Sequence, residues 1–152
     1  DKQKDELKTV NSSLQLKPGT IVLAADDSLV ARSLLEQALN TMAIPFEMVK
    51  SGQEAWDRLN YLAQKAEENG QSIYDKVSLI LSDLEMPEMD GFSLTRSIKQ
   101  DQRFNQLPVI IHSSLSGHTN AEHVRRAGSD GYVVKFAASE LAETIRQVLN
   151  PD

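Results

Sequence analysis

Short apolar runs alternate with longer amphipathic stretches along most of the chain. The first run, Thr20 to Ala25, is almost unbroken in apolar residues, as is typical of a strand that is buried on both faces. The stretch that follows, Leu29 to Met42, has apolar residues at the three- and four-residue spacing of a helix. This alternation continues and predicts five strands and five helices. The predicted strands are Thr20 to Ala25, Pro45 to Lys50, Val77 to Ser82, Pro108 to His112 and Tyr132 to Val134, and the predicted helices are Leu29 to Met42, Gln53 to Glu68, Phe92 to Lys99, Asn120 to Arg126 and Ser139 to Leu149.

Strict alternation of strands and helices predicts an α/β fold in which helices cover both faces of a parallel sheet. Crossover connections are right-handed and the chain has only 152 residues, so the pattern favours a single doubly wound (βα)5 domain of the flavodoxin-like type. Its five-stranded parallel sheet should have the order 2-1-3-4-5, with the first and third strands side by side. Asp27 is a candidate N-cap for the first helix. The predicted core face of that helix consists of Val30, Leu34, Leu35, Ala38 and Leu39.

The N-terminal part of the chain differs from the rest in composition. Residues 1–17 are mostly polar, with Leu7, Val10 and Leu14 at helical spacing, and Pro18-Gly19 then interrupts the chain. We therefore predict a linker or N-terminal extension at residues 1–18 and one folded domain at residues 19–152. The chain begins at Asp1 rather than at methionine, which is consistent with a piece of a longer protein.

Composition narrows the classes of function. The formal net charge is -6, and an acidic surface argues against direct binding to nucleic acid, whose phosphate backbone attracts basic proteins. No apolar run is long enough to cross a bilayer, and the chain does not open on a signal-peptide pattern. The absence of cysteine excludes disulfides and thiol chemistry. The expectation is a cytoplasmic protein without membrane insertion.

Polar residues stand where four of the predicted strands end. Asp26 and Asp27 follow the first strand, and Asp83 follows the third. Ser113 follows the fourth strand and Lys135 the fifth. Ligands of doubly wound sheets bind beyond the carboxyl ends of the strands, where the strand order reverses, so these groups should share one shallow cleft. Each residue alone also has an ordinary interpretation, as a helix cap, a turn residue, a loop hydroxyl or a solvated charge.

This set of groups is suited to phosphoryl transfer onto a carboxylate. Clustered carboxylates repel one another, and a hard divalent cation with oxygen ligands, such as Mg2+, relieves that repulsion. Asp83 can then act as a nucleophile and form an acyl phosphate. The Lys135 ammonium can neutralise phosphoryl oxygens, and the Ser113 hydroxyl can donate a hydrogen bond to one of them.

Three segments of the chain resemble the receiver domains of response regulators. The resemblance covers Thr20 to Leu149 and implies that a histidine kinase phosphorylates Asp83. The segments are Ala25-Asp26-Asp27-Ser28, Leu81-Ser82-Asp83-Leu84-Glu85-Met86-Pro87-Glu88-Met89-Asp90-Gly91 and Gly131-Tyr132-Val133-Val134-Lys135.

The same resemblance implies roles for the residues of the predicted cleft. Taken without it, Tyr132 is only an aromatic residue in a strand, which more often belongs to the core. The implied ligands of Mg2+ are the side chains of Asp27 and Asp83, the backbone carbonyl of Glu85 and, through water, Asp26; the implied switch residues are Ser113 and Tyr132, and the implied family lysine is Lys135.

A narrower resemblance concerns the segment that ends the fourth strand. Ile110 to Gly117, together with Lys135-Phe136, is similar to the receivers of CheV-type chemotaxis coupling proteins, in which a coupling domain precedes the receiver. This implies a chemotaxis-type histidine kinase as partner, and contact with chemoreceptors through a coupling domain that lies before residue 1. His112 belongs to this segment and is interpreted as structural. Most receivers have proline where this chain has Phe136, and a cis bond joins that proline to the lysine. A cis bond before phenylalanine is much less favourable, so we expect a trans Lys135-Phe136 bond.

Other functions fit part of this pattern. A Mg-dependent aspartyl phosphatase of the haloacid-dehalogenase type would need D-x-D after the first strand, where this chain has Asp26-Asp27-Ser28-Leu29. A nucleotide- or flavin-binding module is not supported, because the chain has neither G-x-x-x-x-G-K-[ST] nor G-x-G-x-x-G. A stand-alone receiver or phosphate sink of another two-component pathway is a further alternative. The preferred hypothesis is a signalling phosphoacceptor domain whose only catalysis is its own phosphorylation and dephosphorylation.

Overall fold

The structure is a computed structural model that describes residues 16–114, 118–135 and 138–150. Within those residues, five strands alternate with five α-helices, and their boundaries agree with the predicted ones to within about two residues. The strands are β1 (Ile21–Ala25), β2 (Phe46–Val49), β3 (Val77–Asp83), β4 (Val109–Ser113) and β5 (Gly131–Val134). The helices are α1 (Leu29–Thr41), α2 (Gly52–Glu68), α3 (Gly91–Gln100), α4 (His118–Arg126) and α5 (Ala138–Leu149), and a short 3-10 helix (Ile73–Asp75) precedes β3.

All five strands are parallel and their order is β2-β1-β3-β4-β5, which confirms the predicted doubly wound topology. The register places the strand ends level with one another, since Ala25 pairs with Ser82 and Asp83 pairs with His112. The carboxyl ends of β1, β3, β4 and β5 therefore meet at one edge of the sheet. There β1 and β3 lie side by side, at the point where the strand order reverses.

Both faces of the sheet are covered by helices, so the central strands are buried on both sides. The run Val22 to Ala25 in β1 has no exposed surface, as its apolar sequence predicts. One core layer lies between the sheet and α2, α3 and α4, and a second lies between the sheet and α1 and α5. Buried residues of the first layer include Leu59, Leu94, Ile98 and Phe104, and those of the second include Leu39, Leu141 and Ile145.

The sequence prediction for the buried face of α1 is partly wrong. Ala31 and Leu39 are buried, whereas Val30 and Leu34 are 67% and 41% exposed. Successive residues of an α-helix are rotated by about 100°, so a side chain one position before Ala31 or Leu35 is turned away from the sheet. The apolar spacing indicates the direction of the buried stripe but not how much of its width the sheet covers.

Ser28, and not Asp27, caps α1. The Ser28 hydroxyl accepts a hydrogen bond of 3.2 Å from the Ala31 backbone N–H. The predicted capping role of Asp27 is therefore wrong, because α1 begins at Leu29 and the residue directly before it occupies the capping position. Asp27 is exposed, and its carboxylate is not committed to the helix terminus.

Some sequence predictions concern residues outside the described ranges. They include the Lys135-Phe136 bond and residues 1–15 of the predicted extension, so the trans bond stays a prediction. Among the residues that the structure does describe, no helix is both long enough and apolar enough to span a membrane.

Candidate functional site

Two adjacent carboxylates at the end of β1 have different environments. The Asp26 side chain is fully buried, and its Oδ1 accepts a hydrogen bond of 2.9 Å from the Ser28 backbone N–H. The Asp26 backbone carbonyl accepts a second bond of 2.9 Å from Arg32 Nη1. These contacts hold Asp26 inside the turn after β1, whereas Asp27 is exposed.

The start of α3 packs closely against the end of β3. The Gly91 backbone N–H donates to the Leu84 carbonyl at 2.9 Å. A Cβ at position 91 would lie 2.5 Å from the Asp83 backbone oxygen, so only glycine allows the helix to begin this close to the strand end. Asp90 caps α3, because its Oδ1 accepts a backbone N–H of the first turn at 2.8 Å. The Asp90-Gly91 pair of the sequence motif thus places the backbone of Asp83 beside the N-terminus of α3.

Lys135 joins the two buried carboxylates of the site. Its Nζ lies 3.0 Å from Asp26 Oδ2 and 3.1 Å from Asp83 Oδ1, and 12% of its side chain is exposed. The Lys135 backbone N–H donates to the Ser113 carbonyl at 2.8 Å. This hydrogen bond ties the residue that follows β5 to the end of β4. The structure therefore brings Asp26, Asp83 and Lys135 together from three different strand ends, as predicted.

An open cleft of about 530 Å³ adjoins this cluster. Asp26, which is predicted to share this cleft, does not line it. It is buried and faces a second cavity, which lies between α1 and α5. The residues that line the cleft are Asp27, Asp83, Glu85, Met86, Pro87, Ser113, Ser114 and Lys135.

Burial and the neighbouring charges shift the pKa values of Asp83 and Lys135. Burial and the neighbouring Asp26 charge raise the pKa of Asp83 to about 6, although Lys135 acts in the opposite direction. Burial lowers the pKa of Lys135, but Asp26 and Asp83 outweigh this effect, so its pKa lies above the ordinary value. At neutral pH, Asp83 is therefore mainly ionised and Lys135 is protonated. Asp83 must be ionised to act as a nucleophile, and Lys135 must be protonated to stabilise negative charge on the phosphoryl group.

His112 also belongs to this cluster, although its place in the sequence does not indicate a chemical role. Its imidazole is buried, with Nδ1 at 3.7 Å from Asp26 Oδ2, and neither ring nitrogen has a hydrogen-bond partner among the described residues. Burial lowers the pKa of His112 to about 4, with a further lowering by Lys135 and opposing effects of Asp26 and the Ala25 backbone. The imidazole is therefore neutral at pH values near 7.

The oxygen atoms of the site fit a divalent cation. Asp26 Oδ2 forms an ion pair of 3.0 Å with the Lys135 ammonium and has no hydrogen-bond partner in the described part of the chain. Asp26, Asp83 and His112 each offer a ligand atom, and these atoms lie within 4.8 Å of one another. Two buried carboxylates beside one ammonium leave a net negative charge that a cation would neutralise. Carboxylate and carbonyl oxygens match hard ions of the Mg2+ type.

The predicted switch residues lie on neighbouring strands beside the cleft. Ser113 is buried at the end of β4. Tyr132 lies in β5 opposite Ile111 and is partly buried against the core layer of α2, α3 and α4. The packing of Tyr132 agrees with the interpretation as a core aromatic, and the switch role of both residues stays a prediction.

Comparison with known proteins finds relatives over most of the chain. Residues 22–146 match the family model of the response regulator receiver domain. The chain is 35% identical over 130 residues to Chemotaxis protein CheV2 of Helicobacter pylori, and this alignment covers 86% of the chain and 39% of that protein. The chain therefore spans about two fifths of the length of this curated relative.

Solved receiver structures have the same fold. The receiver domain of the histidine kinase CKI1 from Arabidopsis thaliana, complexed with Mg2+ and BeF3-, has a TM-score of 0.77 and 27% identity over 93% of this chain and 95% of that one. The chemotaxis response regulator CheY4 of Vibrio cholerae has a TM-score of 0.69 and 26% identity over 86% of this chain and 98% of that one. With the matched family model, these findings show that the chain belongs to the response regulator receiver domain family.

Proposed function

We propose that this domain accepts a phosphoryl group on Asp83 from the phosphohistidine of a histidine kinase. The proposal is supported above all by the Lys135 ammonium, which lies 3.1 Å from the Asp83 carboxylate at the wall of an open cleft. An Asp83 oxygen attacks the phosphorus and forms an acyl phosphate. The bond between phosphorus and the donor nitrogen breaks, and its electron pair stays with the donor imidazole. Lys135 and Ser113 contact the phosphoryl oxygens on which charge accumulates.

We also propose Mg2+ as the cofactor of this transfer. Asp27 and Asp83 would bind it through their side chains, Glu85 through its backbone carbonyl, and Asp26 through water. This assignment agrees with the positions of Asp27 and Glu85 at the cleft wall and with the burial of Asp26. When bound, Mg2+ supplies positive charge that neutralises phosphoryl oxygens.

We propose that the donor is a histidine kinase of the chemotaxis type. Support comes from the likeness to Chemotaxis protein CheV2, of which the chain covers 39%. Residues 1–18 would link the receiver to a preceding coupling domain that contacts chemoreceptors, and the assembly would act in the cytoplasm. Within it, the domain is a signalling phosphoacceptor whose only catalysis is its own phosphotransfer and dephosphorylation.

The acceptor residue is tested by intact mass. With Mg2+ and either an autophosphorylated chemotaxis-type kinase or acetyl phosphate, the parent chain should gain one phosphoryl group. Asp83→Asn should gain none, because the nucleophilic carboxylate is missing. Asp90→Asn is the matched control: it makes the same change in the same motif, keeps a residue that can cap α3, and should be labelled like the parent.

The same assay has two further outcomes that bear on the proposal. A chelator should suppress labelling, and Asp27→Ala should raise the Mg2+ concentration for half-maximal labelling more than Asp26→Ala does, because a direct ligand is lost. Full labelling of Asp83→Asn would exclude Asp83 as the acceptor. An unchanged rate in the presence of chelator would exclude the metal requirement.

Phosphorylation is expected to change kinase activity in a reconstituted receptor array that contains the full-length protein. The phosphoryl group adds about -1.5 to -2 charges beside Ser113 and Lys135. Ser113 should move toward the phosphoryl oxygens, and the space it leaves should allow Tyr132 to turn inward. This movement should alter the surface of α4, β5 and α5. The measurement compares kinase activity with and without phosphodonor, and Asp83→Asn should abolish the difference. Unchanged activity with a phosphorylated Asp83 would favour a stand-alone receiver or passive phosphate sink.

A further inference from the structure

The Asp26 carboxylate has few partners for a fully buried charge. Its Oδ1 accepts the Ser28 N–H at 2.9 Å. Its Oδ2 forms an ion pair of 3.0 Å with the Lys135 ammonium and has no hydrogen-bond partner among the described residues. The Arg32 guanidinium donates at 2.9 Å to the backbone carbonyl of Asp26 rather than to its carboxylate. Lys135 therefore provides the closest compensating charge for Oδ2.

The proposed phosphorylation of Asp83 weakens the contact between Lys135 and Asp26. Lys135 lies between Asp26 and Asp83, and a phosphoryl group on Asp83 presents three strong acceptor oxygens to it. If the ammonium turns to those oxygens, Asp26 Oδ2 loses its direct ion pair and keeps only the water-mediated contact with Mg2+ that is proposed above. An unpaired buried charge is strongly unfavourable, so a second donor close to Asp26 would make this movement of Lys135 easier.

His112 is such a donor. Its Nδ1 lies 3.7 Å from Asp26 Oδ2, and both ring nitrogens are buried without a hydrogen-bond partner among the described residues. Buried polar atoms without partners are rare and call for an explanation. A neutral imidazole carries one N–H, and a movement of about 0.8 Å would bring Nδ1 to a hydrogen-bond distance of about 2.9 Å from the carboxylate.

The imidazole also has room for that movement. His112, Asp26 and Lys135 all line the cavity between α1 and α5, which has a volume of about 480 Å³ and is otherwise lined mostly by apolar side chains. Side chains in protein cores are normally close-packed on every side. Because His112 and Asp26 both border this cavity, their surroundings are less tightly filled than a close-packed core, which favours a small shift of the ring.

We infer that His112 is a positioning residue that takes over hydrogen bonding to Asp26 when Lys135 turns from Asp26 to a phosphoryl group on Asp83. The inference rests on the proposed phosphorylation of Asp83. No covalent bond is made or broken at His112. Its effect is to lower the free energy of the state in which Lys135 contacts the phosphoryl group, so it acts on that state more than on the unmodified domain.

The test is the binding of BeF3-, a mimic of the phosphoryl group, in the presence of Mg2+. His112→Leu removes the donor at similar volume, whereas His112→Asn keeps an N–H near the position of Nδ1. Loss of a hydrogen bond to a charged group should weaken BeF3- binding roughly ten-fold or more in His112→Leu. His112→Asn should recover it to within about three-fold. Binding of Mg2+ alone should change by less than about two-fold in both variants, because Lys135 then stays beside Asp26.

A second measurement uses the parent chain and does not depend on the folding of any variant. Nitrogen-15 spectra of the His112 ring should show a hydrogen-bonded N–H when BeF3- and Mg2+ are both present, and not with Mg2+ alone. Unchanged spectra, or equal BeF3- affinities of the parent and His112→Leu, would overturn the inference. Equal losses of BeF3- and Mg2+ affinity would overturn it as well, since they indicate a purely structural role. If Asp83 of the parent is not labelled, the proposed function itself fails, and the two failures are thereby distinguishable.

Discussion

Replacing Lys135 by methionine is expected to lower the free energy of unfolding by roughly 3–5 kcal/mol at neutral pH, which is the usual cost of removing one partner of a buried ion pair. The Lys135 ammonium lies 3.0 Å from Asp26 and 3.1 Å from Asp83, and their side chains are 0% and 4% exposed. Without it, the two buried carboxylates have no compensating charge, and the cost appears either as repulsion between two anions or as uptake of a proton by Asp83, whose pKa Lys135 lowers. Urea unfolding in the presence of a chelator measures the loss, because divalent cations then cannot replace the ammonium.

Lys17→Met is the matched control for this substitution. Lys17 forms an ion pair of 2.7 Å with Asp75 at the surface, and the loss of such a pair should cost less than about 1 kcal/mol. Adding Asp83→Asn to Lys135→Met should recover part of the stability, since only Asp26 then keeps its buried charge. If Lys135→Met were no less stable than Lys17→Met, the lysine would not be compensating the two carboxylates.

The fold is readable from the sequence because strands that are buried on both faces leave a strong signal. The run Val22 to Ala25 is apolar without a break and has no exposed surface. Parallel topology brings every carboxyl end of the sheet to one edge, so polar residues at strand ends can be assigned to one site before any contact is known. Asp83 and Lys135 are far apart along the chain, yet their charged groups lie within 3.1 Å of each other.

Other features depend on contacts that the sequence pattern does not encode. Asp26 and Asp27 are consecutive and look alike, and only the turn in which Asp26 Oδ1 accepts the Ser28 N–H determines which carboxylate is buried. The contact of His112 with Asp26 could not be predicted from the sequence for a different reason. Its neighbour Asp26 follows β1, which is separated from β4 by β3, and a contact across an intervening strand leaves no periodic signal.

Asp83→Asn is expected to raise the free energy of unfolding at neutral pH by on the order of 2–3 kcal/mol. Burial and the Asp26 charge raise the pKa of Asp83 to about 6 in the folded domain, whereas an unfolded chain has an ordinary aspartate pKa of about 3.9. The folded state therefore binds this proton more tightly than the unfolded state does. As the pH rises through the folded pKa, the parent loses stability, and an uncharged amide of similar size avoids the loss.

The advantage of Asp83→Asn should shrink as the pH falls through 6 and disappear below about 4, where Asp83 is protonated in both states. His112 has the opposite effect on the pH dependence of stability. Burial lowers its pKa from 6.5 to about 4, so the folded domain loses stability from this group as the pH falls from about 6.5 to 4. His112 is present in both chains, so its effect cancels in the difference between them. Urea unfolding of both chains with chelator, from about pH 4 to 8, measures that difference. A parent that is more stable than Asp83→Asn at neutral pH would show that the cluster favours the ionised carboxylate, since the proton would then be bound less tightly in the folded state.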